Sequence, residues 1–197
     1  MKEHPIIFQA DMVRATLDLL KTVTRRTWGL EKINKHPDDW ILLKPIEDNP
    51  LVWYFKNTSG YTIGIKCPYG QIKDKLWVKE TWFASPAQNG MRPSEIPQYL
   101  PIWYPATDKP IINHEWNPKI RSSMFMCRWM SRILLEITGL RAERLQEITL
   151  QDIWAEGCQT KNMTVLYFKD LWDSLNARRG YSFESNPWVW PISFRQL

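Results

Sequence analysis

The segment Lys75-Leu-Trp-Val-Lys-Glu-Thr-Trp82 alternates with the period of an extended chain, placing Leu76, Val78, Glu80 and Trp82 on one face and Trp77, Lys79 and Thr81 on the other. Two distant runs share that period. Residues 131–138 put Ile133, Leu135 and Ile137 on one face, and residues 188–195 do the same with Trp188, Trp190, Ile192 and Phe194. Pro191 in the last run implies an edge strand or a bulge, because it has no N–H to give a ladder. The fold must therefore be organised around a sheet whose strands are separated by long stretches of chain.

The intervening segments are helical only in short pieces. Pro5-Ile-Ile-Phe-Gln9 reads as a strand, and Val13, Thr16, Leu17 and Leu20 recur at helical spacing behind Asp11, a candidate N-cap. The β-branched run Thr22-Val-Thr24 stops that helix at Lys21, leaving 21–26 as a loop or the start of a strand. Trp53 and Phe55 pair as a hairpin arm with residues 61–65 across Asn57-Thr-Ser-Gly60. Residues 84–120 hold seven of the fourteen prolines and read as a long ordered insertion. Thr149 caps a helix over 150–156 that ends at Gly157, with Asp152 completing a shortened capping box. A longer helix carries Val165, Phe168, Trp172 and Leu175 on one stripe and stops at Arg178-Arg179-Gly180.

This pattern lacks regular βαβ alternation and predicts an α+β fold or a small barrel decorated by helices, as one domain over 1–197. No apolar run approaches the roughly 20 residues that span a bilayer, and the apolar run after Met1 is too short for a secretory signal, so a cytoplasmic protein is expected. Cys67, Cys127 and Cys158 are odd in number and far apart, which argues against a disulfide framework. With His4, His36 and His114 they form no zinc spacing, and no metal or cofactor is expected. The net charge of +5 weakly favours polyanionic partners. Most of the twelve Trp belong in cores, although an indole also makes a platform for a base.

Nucleophile elbows, phosphate-binding glycine loops and dinucleotide fingerprints are absent from the sequence. Lys21 and Thr24 lie three apart in a tight segment, where a lysine disfavoured in its charged form can activate a hydroxyl. On spacing alone they are an ordinary basic helix end. Glu156 closes a helix, where the dipole's negative end suits a carboxyl to acid/base work. Glu80, on an apolar strand face, needs an arginine partner or a functional reason, and a structural ion pair is the simpler of the two.

Taken together, Pro5-Ile-Ile-Phe8, Leu20-Lys-Thr-Val-Thr-Arg-Arg26, Cys67-Pro-Tyr-Gly70, Leu76-Trp-Val-Lys-Glu-Thr-Trp82, Arg128-Trp-Met-Ser-Arg132, Leu145-Gln-Glu-Ile-Thr149, Ala155-Glu-Gly157 and Asn186-Pro-Trp-Val-Trp190 resemble the ASCH domain family, especially its phage-encoded members. The resemblance runs from end to end and implies a PUA-like barrel associated with RNA and modified-nucleoside recognition, in a phage or prophage protein of a bacterial host. One bacterial branch consists of amidohydrolases that remove the acetyl group of N4-acetylcytidine with a Lys and a Thr of a KTxTxR-like segment and a later Glu. Lys21 and Thr24 match that segment, with Arg26 at its Arg, and Glu156 falls at the later Glu. This chain is nearly twice as long as those enzymes, which leaves its substrate less defined than its chemistry.

The resemblance therefore implies a metal-independent amidohydrolase acting on an N4-acyl cytidine or related nucleoside, with Lys21, Thr24 and Glu156 catalytic. Either Lys21 activates Thr24 as nucleophile and Glu156 protonates the leaving amine, or Glu156 activates water while Lys21 and Thr24 bind the oxyanion. Phe8 is a candidate to stack on the base, and Arg26, Glu80 and Arg128 to bond its edge or the ribose. The alternative is a non-catalytic RNA-binding phage or host module, or a ribonuclease, using the same cleft with Lys21, Arg25, Arg26 and Arg128 on phosphates.

Overall fold

The structure is a computed structural model that describes residues 1–43, 52–108, 116–158 and 164–197. Strand β1 (Glu3–Ile7) leads into helix α1 (Ala10–Leu17) and strand β2 (Val23–Arg26). Strands β3 (Trp40–Leu42), β4 (Trp53–Asn57) and β5 (Thr62–Ile65) follow, then β6 (Lys75–Lys79), β7 (Leu134–Leu140) and β8 (Glu143–Arg144). Helices α2 (Leu150–Ala155) and α3 (Val165–Asn176) precede the last strand, β9 (Trp188–Gln196).

The result is a mixed α+β fold built on a curled half-barrel sheet of order β1-β6-β7-β9-β2, with β8 added beside β9. Among the described residues β1 and β6 run parallel, and the other pairs of this sheet are antiparallel. Strands β3, β4 and β5 form a separate antiparallel sheet, with β4 and β5 in the expected hairpin. No helix among the described residues is long and apolar enough to cross a membrane.

Side-chain alternation decides which surface each strand buries. Leu76 and Val78 of β6, Leu135 and Ile137 of β7, and Trp188, Trp190, Ile192 and Phe194 of β9 enter one core with Val13 of α1. The small sheet joins it edge to face, Trp53 on Trp190 with centroids 5.0 Å apart and Phe55 on Trp188 at 5.1 Å. Val189, pointing the other way from β9, packs with Ile153 of α2 and Phe168 and Trp172 of α3. A third cluster gathers Trp82, Ile96, Met126 and Met130 around the proline-rich region, which bridges back to the body through Phe83 with Trp103 and Trp82 with Arg121. Of the predicted insertion, residues 109–115 lie outside the described residues.

Several boundaries differ from the sequence expectation for identifiable reasons. Helix α1 ends at Leu17 rather than Lys21 because Leu19 turns left-handed at φ 59°. The Leu20 amide then donates back to the Ala15 carbonyl at 2.8 Å, closing the helix end. Its N-cap is Gln9, and Asp11 lies in the first turn beside Arg14. Strand β7 starts three residues later than expected and runs through Gly139, with a register shift between Ile137 and Gly139 instead of a bend. Strand β9 is interior, not an edge. Because the Phe194 amide donates toward Thr22 of the chain leading into β2, the missing N–H of Pro191 faces the other side, at the corner where β9 changes partner from β7 to β8.

Glu80 sits on the apolar face as its alternation requires, with its side chain only 2% exposed, and Arg132 meets it with two parallel bonds of 2.9 and 3.0 Å. Arg132 also donates to Thr107 and lies 4.0 Å over the Tyr104 ring, tying the proline-rich region to the sheet. Replacing Arg132 with Ala leaves a buried carboxylate unpaired, so Arg132→Ala is expected to lower unfolding free energy by about 3 kcal/mol in urea titration; a change within error would show that Glu80 is not held by this pair.

Candidate active site

The two end strands of the curled sheet, β1 and β2, are joined by α1 and form no backbone ladder with each other among the described residues. The Arg26 side chain crosses this seam, its Nη2 donating to the Ile7 carbonyl at 2.7 Å. Chain direction at the seam is set by the close of α1, after which Lys21 pairs as an isolated antiparallel bridge with Glu156 and the Thr22 amide donates to the Ala155 carbonyl at 2.8 Å. The end of α2 is thus docked on the start of β2. Helix α2 is short and depends on its cap: the Thr149 hydroxyl accepts from the Asp152 amide, and the Asp152 carboxylate accepts from the Thr149 amide and hydroxyl.

Lys21 is buried, its side chain 1% exposed, and its three ammonium hydrogens have three acceptors. These are the Val23 carbonyl at 2.8 Å, the Glu156 carbonyl at 2.9 Å and Glu156 Oε2 at 2.5 Å. The other Glu156 oxygen faces Arg25 Nη1 at 3.3 Å. Arg25, with no exposed side-chain surface, also reaches Glu143 at 2.9 Å and Asp152 at 3.1 Å, and Arg141 closes the network on those same two acids at 2.6 and 2.8 Å. Three cations and three carboxylates compensate one another around the foot of α2, which is what makes their burial tolerable.

These groups border a cavity of about 370 Å³, within the roughly 300–1,000 Å³ of small-molecule sites. Lys21, Thr24 and Glu156 all line it, as does Arg26, and residues of α1 and α3 complete its walls. The Thr24 side chain is buried and its hydroxyl forms no hydrogen bond with the described residues. Burial pushes the Lys21 ammonium below its ordinary value, with the neighbouring Glu156 carboxylate opposing that shift. Burial also pushes down Arg26 and raises the Cys158 thiol beside the pair. Burial acts to raise the Asp152 carboxyl, but its bonds to Thr149 and the charges of Arg25 and Arg141 outweigh it and hold it well below the usual carboxylate range.

The sequence-predicted residues divide into two groups. Lys21, Thr24, Glu156 and Arg26 meet at the cavity. Phe8 does not line it but lies beneath, its ring 5.7 Å from Lys21 Nζ and 5.6 Å from the Arg26 guanidinium. Glu80 and Arg128 are placed elsewhere: Glu80 is taken by Arg132, and Arg128 bonds Glu3 at 2.6 Å at the surface. In the sequence Arg25 reads only as a phosphate contact, and Glu143, Arg141 and, as an ion-pair partner, Asp152 carry no role. An arginine within a strand demands acidic partners, yet the sequence does not say which acids fold toward it. Among the described residues no three His, Cys, Asp or Glu side chains are arranged to hold a metal ion, and the three cysteines form no disulfide. No protein-family model, curated protein or solved structure matches the chain.

Two consequences are measurable. Gly157, at φ +86°, follows Glu156, and an added Cβ would lie 2.7 Å from Ala15 Cβ and 2.9 Å from Lys21 Cβ. Gly157→Ala is therefore expected to cost about 2 kcal/mol or more, whereas Gly180→Ala, also at φ +86° but facing open space, costs about 1 kcal/mol of backbone strain. Equal losses in chemical denaturation would contradict the close approach of α2 to Lys21. Asp152 titrates in the folded chain below its unfolded value of about 3.9. Its stabilisation is complete above that value and is lost as pH falls toward the folded one, so Asp152→Asn should flatten the acid limb of thermal melts between about pH 2 and 5. Parallel limbs in the two proteins would contradict the assignment.

Proposed function

We propose that this protein is an amidohydrolase that removes an N4-acyl group, such as acetyl, from cytidine or a related modified nucleoside, on the PUA-like barrel that the ASCH resemblance implies. The observation that carries this reading is the meeting of Lys21, Thr24 and Glu156 at one cavity, with Lys21 and Glu156 in direct contact across 135 residues of chain.

The short Lys21–Glu156 contact supports proton exchange between the two. With the shared proton on Glu156, Lys21 is an amine that accepts the Thr24 hydroxyl proton as Oγ1 bonds to the acyl carbon. The adduct collapses by breaking the C–N bond while Glu156 gives its proton to N4, and cytidine leaves. Water then cleaves the Thr24 ester, releasing the carboxylic acid and restoring the hydroxyl. In the second form, the Glu156 carboxylate takes a proton from water as the water attacks the acyl carbon. That protonation frees one Lys21 N–H, which joins Thr24 in holding the oxyanion, and the adduct then collapses as the C–N bond breaks and Glu156 gives its proton to N4, releasing cytidine and the carboxylic acid. Neither form calls on a metal or a cofactor.

A non-catalytic RNA-binding module or a ribonuclease in the same cleft has less support. Of the four basic residues it would turn toward phosphates, Lys21, Arg25 and Arg128 are already paired with carboxylates.

Incubation of the purified protein with N4-acetylcytidine should release cytidine and acetate at a rate insensitive to chelators. Thr24→Ala and Glu156→Gln should each lower that rate by about a hundredfold or more. Folded wild-type protein that releases nothing from a panel of N4-acyl cytidines, or variants that retain full rate, would overturn the reading.

A further inference from the structure

The basic side chains around the cavity are not equivalent. Lys21 and Arg25 are held by acids within the wall. Arg26 and Arg179 line the same cavity, and neither forms an ion pair with the described residues.

Arg26 is the deeper of the two. Its Nη2 has only the Ile7 carbonyl, its Nε is buried without a partner, and its guanidinium lies over the Phe8 ring. The Glu156 charge acts on Arg26, but that carboxylate is bonded to Lys21 and Arg25, so the buried Arg26 guanidinium keeps a desolvation cost that an anion entering from solvent would relieve. Arg179 ends the short turn after α3, exposed, and near enough that its charge acts on Arg26 and on Tyr69. Tyr69 lies edge to face against Trp28 at 5.6 Å, and both line the cavity, Trp28 with more than half its surface open. Glu31, whose charge acts on Tyr69, has both carboxylate oxygens on the Gly29 amide at 3.0 and 3.1 Å.

We propose that Arg26 and Arg179 form an anion subsite for the phosphate of a nucleoside monophosphate, with Trp28 and Tyr69 as the flat wall beside its base, so that the substrate class is the nucleotide rather than the free nucleoside. This rests on reading the cavity as a nucleoside site. A single phosphate fits better than a strand, because a strand-binding groove needs a succession of free cations and Lys21, Arg25 and Arg128 are all engaged.

Calorimetric titration of the full chain with the four common ribonucleoside 5′-monophosphates and the four parent nucleosides tests the subsite without requiring turnover. At least one monophosphate should bind about ten- to hundredfold more tightly than its nucleoside. Arg179→Ala should bring that ratio toward one, and Arg26→Gln should do the same; because Arg26 is buried and its replacement can unfold the chain, the exposed Arg179 decides. Equal affinities within every pair, or a ratio untouched by Arg179→Ala, would overturn the proposal. A ribo-oligonucleotide that binds far more tightly than any monophosphate would overturn it in favour of a strand. A phosphate preference seen only with purines would support the subsite and remove the cytidine assignment. Acetylcytidine hydrolysis with no phosphate preference would do the reverse.

Discussion

The contact between Lys21 and Glu156 is the constraint on which the rest of the site depends. It joins the chain leaving α1 to the end of α2, through both a backbone bridge and a buried ion pair. A charge pair this deep is stable only when every remaining donor and acceptor is met, because desolvation otherwise exceeds the attraction. The Val23 and Glu156 carbonyls meet the two other Lys21 hydrogens, and Arg25 meets the second Glu156 oxygen. Arg25 in turn requires Glu143 and Asp152, and Asp152 doubles as the capping partner of Thr149. Cap, helix, glycine turn and ion pair are thus one connected arrangement, and the cavity is the space left beside it at the seam between β1 and β2.

That arrangement explains why a chain with an excess of basic residues offers few free cations at its cavity. Arg132 serves Glu80, Arg128 serves Glu3, and Arg25 and Lys21 serve the acids at the foot of α2. Net charge alone suggests a polyanion surface; the pairing redirects attention to a local site where charge is placed one group at a time. The chemistry proposed for Lys21 and Glu156 uses the same feature, since a donor and an acceptor held 2.5 Å apart can pass a proton with little rearrangement.

Much of the fold was legible because strand alternation survives folding. The alternate burial of Leu76, Val78, Glu80 and Trp82 follows period two even though β6 ends at Lys79, short of the expected Trp82, and Trp82 joins the third cluster; the inward set on β9 follows it too. Thr149 and Gly157 were readable because caps and left-handed turns impose local residue choices. The early end of α1 was not, since an ordinary leucine, Leu19, takes the left-handed position where glycine would have signalled it. Pro191 misled in the same way: its missing donor points to a partner changeover that only tertiary pairing creates. Within the site, the KTxTxR-like spelling drew attention to Lys21 and Thr24, but the acids around Arg25 come from β8 and α2 and carry no spacing signal. Glu80 reads in sequence as the simpler case of a structural ion pair and Arg128 as a candidate substrate contact, and both have their partners away from the cavity.

The most direct test of this account is the protonation of Lys21 itself, followed by nitrogen-15 NMR of protein labelled at lysine side chains. The Lys21 ammonium should titrate below the roughly 10.4 of an exposed lysine, and should fall further in Glu156→Gln, where the charge opposing desolvation is gone. A Lys21 resonance that titrates with the surface lysines, and does not move when Glu156 is replaced, would contradict the buried pair and the chemistry built upon it.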